Sequence, residues 1–253
     1  MSLPHKVVII GAGGRMGGAL MRCLPEFPDL ALHAAIEHRP VQGVNTTTDL
    51  PSALAGATIA IDFSSATATA GNARACARAG VPVLIGTTGI DATAQAVLDE
   101  AGQHIPLILA ANTSLALNVL LGLVRQAAQA LPPGYDIEIV ETHHRHKVDA
   151  PSGTALALGR AAAAGRGEAL PERPALTGSL PGPRPTGGIG FAVLRGGDVV
   201  GEHEVRLLGP GEQLTLGHFA TDRHIFARGA LTAARWLVGK APGRYQMSDV
   251  LGL

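Results

Sequence analysis

The 253-residue chain carries no net charge, because 20 Lys plus Arg balance 20 Asp plus Glu. A balanced chain has no global field to gather nucleic acid or an acidic membrane, so neither is expected as a partner. No apolar run reaches the roughly 18 residues that cross a bilayer; each is interrupted by Arg, Gln, Gly or Asn. The N-terminal residues pass from Pro4, His5 and Lys6 straight into a short aliphatic run, without the apolar core and small-residue cleavage site of a secretory leader. There are only two cysteines, Cys23 and Cys76, neither with a second ligand at metal spacing. Both are expected as buried, unbridged thiols in a reducing cytoplasm. No internal repeat is present. What is present is 46% hydrophobic and 16% charged residues, which excludes disorder as the main theme and suits one large domain or two modest ones.

As far as Ala110, aliphatic runs at 7–10, 30–36, 58–61, 81–85 and 107–110 alternate with Ala-rich helical stretches at 16–24, 66–79 and 92–102. That rhythm predicts βαβ units, and runs without polar alternation predict a parallel sheet covered on both faces. The pattern then changes. Ser114 opens a long helix ending near Leu131, before Pro132, Pro133 and Gly134. Residues 136–141 read as a strand, 152–164 as a helix, and 170–187 as a mobile loop holding five prolines. Strands follow at 189–195, 199–208 and 213–220, the first two joined by Gly196, Gly197 and Asp198, which suit a hairpin. The helical spacing over 224–238 predicts a return to the first domain. The expected fold is α/β: a Rossmann-type parallel sheet domain of residues 1–113 and 222–253, with an inserted α+β domain of mixed or antiparallel sheet at 114–221 and a cleft between them.

The sharpest local signal is VVIIGAGGRMG at 7–17, an aliphatic strand running into Gly11, Gly14 and Gly17 and then a helix. Met16 stands where a strict G-x-G-x-x-G needs glycine, so the motif is the G-x-x-G-x-x-G variant with Gly13 added. Its physics is unchanged: glycine lets the backbone approach a pyrophosphate, and a helix N-terminus offers N–H groups and partial positive charge. Arg15 adds a cation. Glu37 ends the second strand, placed to accept from adenosine ribose hydroxyls. His38 and Arg39 follow, and a cation there suits a 2′-phosphate, so NADH and NADPH both remain open. Small polar clusters end the later strands: Asp62, Phe63, Ser64 and Ser65; Gly86, Thr87, Thr88 and Gly89; Ala110, Ala111, Asn112 and Thr113. In a parallel sheet these positions fit a nicotinamide and ribose pocket, or simple helix caps.

A second chemical centre is ETHHRHKVDAPSGT at 141–154, where residues 143–147 are all able to carry positive charge. Such a cluster calls for an anion. Three histidines within four residues suggest a metal, but a strand exit lacking paired cysteines or an H-E-x-x-H helix argues against zinc, and no metal is expected. Ser152, Gly153 and Thr154 open a helix whose N–H groups, with the hydroxyls, suit a carboxylate. Lys147, crowded by cations, is expected to give up its proton readily, as suits a general acid.

At these residues the chain resembles the 4-hydroxy-tetrahydrodipicolinate reductase family, also called dihydrodipicolinate reductases, of bacterial lysine and diaminopimelate biosynthesis. GAGGRMG at Gly11, IDFS at Ile61, IGTTG at Ile85, AAN at Ala110, HHRHKVDAPSGTA at His143, GDVVGEH at Gly197 and the SDVLGL tail carry the resemblance, which spans essentially the whole chain. It implies that Gly11, Ala12, Gly13, Gly14, Arg15 and Met16 bind the pyrophosphate. It assigns Glu37, with His38 beside it, to the adenosine ribose. The nicotinamide half falls to Gly86, Thr87 and Thr88 with Ala110, Ala111, Asn112 and Thr113. The same resemblance makes His143 and Lys147 the catalytic acid/base pair, His144 a substrate contact, and Gly153 and Thr154 the holders of a substrate carboxylate. The implied reaction is hydride transfer from NADH or NADPH to C4 of a cyclic dicarboxylate, with loss of its hydroxyl as water. The implied assembly is a homotetramer joined through the second domain, whose cleft closes to bring substrate to cofactor. Two departures from the family pattern stand out: His38 where many members have Arg, with Arg39 one step later, and Gly187–Gly188 in place of Gly-Thr. The alternatives are another small nicotinamide-dependent amino-acid dehydrogenase and a non-catalytic dinucleotide sensor; the 143–147 segment argues against the first and the presence of both His143 and Lys147 against the second.

Overall fold

The computed structural model describes residues 3–172, 174, 176 and 182–253. Arg173, Ala175 and residues 177–181, within the predicted proline-rich loop, lie outside it. The chain divides into two compact units, Met1–Leu115 with His224–Leu253, and Ala116–Arg223.

In the first unit the aliphatic runs become β1 (His5–Ile10), β2 (Leu30–Ile36), β4 (Ile59–Asp62), β5 (Val83–Ile85) and β6 (Pro106–Leu109). Two short strands, β3 (Thr46–Thr47) and β11 (Gly243–Tyr245), extend the edges. All pair in parallel in the order β11-β6-β5-β4-β1-β2-β3. The helices are α1 (Arg15–Cys23), α2 (Leu50–Leu54), α3 (Ala66–Ala79), α4 (Ala92–Gly102), α7 (His224–Leu237) and α8 (Met247–Leu251). β1 shows why its sequence lacks polar alternation: Val7 and Ile9 pack with Leu20 of α1 and Leu231 of α7, while Val8 and Ile10 pack with Leu54, Cys76 and Leu98 of the opposite layer. Neither cysteine is in a disulfide. Burial, with the Asp62 charge beside it, pushes the Cys76 thiol up to about 12, which makes it a packing group and not a nucleophile.

The sheet order reverses between β1 and β4, and the turn after β1 lies in that crevice. Gly11 has φ +83° and a Cβ there would sit 2.6 Å from the Phe63 carbonyl oxygen, so only glycine fits both the turn and the approach to the end of β4.

The second unit holds α5 (Leu115–Ala130, its first residue in the first unit), β7 (Asp136–His143), α6 (Gly153–Gly165), β8 (Ile189–Arg195), β9 (Gly201–Gly209) and β10 (Glu212–Ala220). Its sheet runs β10-β9-β7-β8, with β7 parallel to β8 and antiparallel to β9, hence mixed. Leu117, Leu120 and Val124 of α5 and Leu158 and Ala162 of α6 cover Ile137, Ile139, Phe191, Val205 and Leu207.

The hairpin expected at Gly196–Asp198 does not form, because β7 lies between β8 and β9. The connection instead wraps the end of β7: Gly196 N–H donates to His143 O, Arg145 N–H to Gly197 O and His144 N–H to Val199 O. The hairpin is β9–β10, closed by Pro210 and Gly211 between paired Gly209 and Glu212. Among the described residues, no helix is long and apolar enough to cross a membrane.

As predicted, α7 returns to the first unit, and its seat is tight. Thr113 Oγ1 donates to Phe226 O at 2.6 Å, and a Cβ on Gly229 would run into the Thr113 carbonyl. Gly229→Ala is therefore expected to cost about 1–3 kcal/mol by overpacking and to lower Tm by about 2–10 °C in a circular dichroism melt. An unchanged Tm would contradict this seating.

Candidate active site

In the first unit, the end of β2 holds the glycine loop. Gly11 and Ala12 N–H groups both donate to Ile36 O, and the Glu37 carboxylate accepts from Gly13 N–H at 2.9 Å and His38 N–H at 2.8 Å. Burial works to raise the Glu37 pKa, but the N–H groups of Gly13, His38 and Arg39 win and hold it below the usual carboxylate range. Glu37 is thus an anion with acceptor capacity left on each oxygen. Gly13, Gly14 and Arg15 are exposed, α1 has no side-chain cap at its N-terminus, and a Cβ on Gly13 would sit 2.7 Å from Glu37 Oε2. The cradle therefore remains open to a phosphate ligand.

The later strand ends are more divided in role. Asp62 is fully buried and serves the turn: it accepts from Ser64 N–H at 2.8 Å and Asn72 Nδ2 at 2.9 Å, while burial raises its pKa. Asn72 also donates to Ser64 Oγ at 3.1 Å. Gly86 backs onto the Phe63 ring. Asn112 Oδ1 accepts from Ser114 N–H, and the Thr113 hydroxyl is committed to Phe226, so both side chains build the turn into α5. Thr87 differs: its Oγ1 is buried with no hydrogen-bond partner among the described residues. An orphaned hydroxyl beside exposed Thr88 is a polar group that a ligand would satisfy, and the strand-end set fits a dinucleotide on that ground.

In the second unit, strand alternation puts Ile137, Ile139, Glu141 and His143 on the helix-covered face of β7, so the core row turns polar at its C-terminal end. Register completes the group. Glu141 is paired with His203 of β9, and His143 with Arg195 of β8. Glu141 is 1% exposed, and its Oε1 accepts from Ser152 N–H and Arg195 Nη2, both at 2.9 Å. Its Oε2 faces His143 Nδ1 at 3.3 Å and His203 Nε2 at 3.6 Å. The two histidine rings meet edge-on at 4.9 Å. Burial opposes the Glu141 charge, but His203, Ser152 and Arg195 outweigh it and bring the carboxyl to about 2. Burial takes His143 down to about 4, with His203, Lys147 and Arg195 adding to the effect and Glu141 opposing it.

Beyond His143 the loop turns outward. Lys147 Nζ lies 2.8 Å from both oxygens of Asp149. Lys147 is therefore not a lysine among cations alone: a carboxylate two positions on, beyond residues 143–147, pairs with it. Ser152 caps α6, with its Oγ accepting from Ala155 N–H at 3.1 Å and lying 3.2 Å from His203 Nε2. That hydroxyl is therefore committed within the fold, and Gly153 and Thr154 head the helix.

The three loop histidines do not converge. Rings 144 and 146 are 6.3 Å apart while His143 turns inward to His203. Among the described residues, Glu141, His143 and His203 are the group whose ligand-type atoms lie within 4.8 Å of one another. Within it, Arg195 donates to Glu141 Oε1, and Oε2 faces the two rings. The roles of Glu141, His203, Arg195 and Asp149 escaped the sequence reading. A carboxylate at a core position of β7 was the available signal, since it demands buried partners.

Two family models match the chain: dihydrodipicolinate reductase N-terminus over residues 5–113, and dihydrodipicolinate reductase C-terminus over residues 116–251. The chain is 48% identical to 4-hydroxy-tetrahydrodipicolinate reductase of Anaeromyxobacter dehalogenans, over 98% of each chain. It is 49% identical to the protein of that name from Zymomonas mobilis, over 98% of this chain and 97% of the other. The solved dipicolinate-bound dihydrodipicolinate reductase from Paenisporosarcina sp. TG-14 shares the fold, with TM-score 0.82 at 21% identity, over 98% of this chain and 99% of that one. With both family models matched in chain order and relatives of nearly half identity along its whole length, the chain belongs to the dihydrodipicolinate reductase family.

Proposed function

We propose that the protein reduces 4-hydroxy-tetrahydrodipicolinate to tetrahydrodipicolinate with loss of water, using NADH or NADPH, in lysine biosynthesis through diaminopimelate. Family membership supports the reductase role. The observation that carries the site assignment is the 143–154 loop, which runs from a buried histidine through an ammonium–carboxylate pair to a capped helix N-terminus. That sequence of groups suits a dianionic substrate needing a proton.

The residues divide by task. Gly11, Ala12, Gly13, Gly14, Arg15 and Met16 receive the pyrophosphate, and Glu37 receives the adenosine ribose through its remaining lone pairs. His38 and Arg39, both exposed, stand where a 2′-phosphate would be met. Gly86, Thr87 and Thr88 with Ala110, Ala111, Asn112 and Thr113 form the nicotinamide side, where the Thr87 hydroxyl awaits a partner and Asn112 and Thr113 act through the backbone turn they build. The reduced nicotinamide, when bound, supplies the hydride. His144 and the α6 N-terminus at Gly153 and Thr154 hold the substrate carboxylates, since helix N–H groups and a nearby basic loop favour anions. Lys147 gives the proton and regains it from water, being partly exposed and oriented by Asp149. His143, neutral near pH 7, is the base: it takes the proton of the ring carbon beside C4 as the hydroxyl leaves with the Lys147 proton, and returns it to that carbon once the hydride has reached C4.

The assembly is proposed as a cytoplasmic homotetramer. Supporting it, Leu194, Thr142, Glu202 and Phe219 form one row across the second sheet, on the face turned away from α5 and α6. Leu194 and Phe219 are more than half exposed there, as suits a face that meets another copy.

The direct test couples the purified protein to the upstream synthase and follows cofactor oxidation by ultraviolet absorbance, with NADH and NADPH separately. Oxidation that depends on the synthase product is expected; none, with nucleotide binding intact, would overturn the proposed reaction. In that assay Lys147→Ala is expected to lower kcat about 100-fold or more while cofactor affinity holds, and an unchanged kcat would remove Lys147 from the chemistry. Glu37→Ala is expected to weaken NADH by about 10-fold or more, as loss of a charged acceptor costs about 1.5–3 kcal/mol. A fluorescence titration showing the same NADH affinity would exclude the ribose role.

A further inference from the structure

A neutral imidazole carries its proton on one nitrogen, and only the bare nitrogen takes up a proton. Which nitrogen of His143 is bare follows from what surrounds it. On its own strand, Glu141 Oε2 faces Nδ1 at 3.3 Å. Across β9, the His203 ring meets its edge at 4.9 Å. Arg195 of β8 pairs with His143 in register and turns its guanidinium to Glu141 Oε1 and the Asp149 carbonyl, donating at 2.9 and 2.6 Å. Lys147 approaches from the loop, its ammonium turned to Asp149. Nε2 points elsewhere: a Cβ placed on Gly201 would be 3.1 Å from it.

A bare Nδ1 would set its lone pair against a buried carboxylate oxygen. At 3.3 Å the two buried atoms approach without closing a hydrogen bond, so a proton on Nδ1 turns a repulsive approach into an attractive one, while His203 Nε2 stands farther from the same Oε2, at 3.6 Å. The carboxylate cannot swing away, because Ser152 N–H and Arg195 clamp its other oxygen from α6 and β8.

We infer that Glu141 is a positioning residue for the reaction: it fixes His143 in the Nδ1–H tautomer and so presents Nε2 as the proton acceptor. Glu141 itself touches no reacting atom. The inference rests on the proposed part of His143 in the proton chemistry. It gives the carboxylate the task that the carboxylate of a catalytic triad performs for its histidine, orientation and choice of tautomer without proton uptake of its own.

A double-mutant cycle in the coupled assay separates this from a merely structural role. Glu141→Gln keeps the size and removes the anion. It is expected to lower kcat about 10-fold or more with KM nearly unchanged, and Glu141→Asp, which keeps the charge, should recover part of the loss. In a His143→Ala background, Glu141→Gln should cost almost nothing further, because there is no imidazole left to orient. Should Glu141→Gln fail to fold, Glu141→Asp, with its charge withdrawn from Nδ1, takes its place in the cycle. Wild-type kcat in the substituted chain, or the same loss with and without His143, would overturn the inference. Wild-type kcat for His143→Ala would instead overturn the proposed role of His143, and the inference with it.

Discussion

A charge buried in the second unit constrains everything around it. Glu141 stands on a strand face shared with Ile137 and Ile139, is 1% exposed, and stays ionised because three elements answer it. α6 offers the Ser152 N–H, β8 the Arg195 guanidinium and β9 the His203 ring, while the neutral His143 ring of β7 faces the second oxygen. Arg195 carries the link onward to the Asp149 carbonyl in the loop. Stripping such a carboxylate of one charged partner costs about 3–5 kcal/mol, so the loop exit, the helix start and the strand register are coupled through a single group. The same coupling keeps His143 uncharged beside an anion: burial prevails over the attraction of Glu141, and the ring is left able to accept a proton.

The first unit relies on a different constraint, close backbone approach. Its parallel sheet reverses order between β1 and β4, and the glycine loop fits that crevice because Gly11 lies against the Phe63 carbonyl while Gly13 lies against Glu37. Glu37 fastens the loop, and in the proposed function it is also the acceptor for the ribose. A side chain serving both tasks couples nucleotide binding to loop order, which makes its removal more disruptive than the loss of one ligand contact.

Most of the first unit was legible in the sequence because its signals are local. Aliphatic runs, Gly and Pro stops and Ala-rich helices gave β2, α3 and α4 at their observed bounds. The short elements β3, α2, β11 and α8 carry too few residues to show a period, and were missed. In the second unit each strand was legible, but pairing was not. A Gly-Gly-Asp turn reads as a hairpin until β7 is known to lie between its strands. The partnership of Glu141 with His203 joins residues far apart in the chain and follows only from that order. Asp149 pairs with Lys147 from outside the 143–147 run of basic residues, so the run alone does not show the counter-charge. The glycine loop and the basic segment announced themselves because ligand chemistry concentrates unusual residues; the buried positioning group did not, because one carboxylate in a strand is an ordinary sight until its face is known.

The most direct measurement is the protonation pattern of His143 by long-range nitrogen–proton NMR on histidine-labelled protein, with the signal identified by its loss in His143→Ala. Near pH 7, well above its lowered pKa of about 4, the account predicts a neutral ring with the proton on Nδ1 and Nε2 bare. A neutral ring protonated on Nε2, or an imidazolium at that pH, would contradict it.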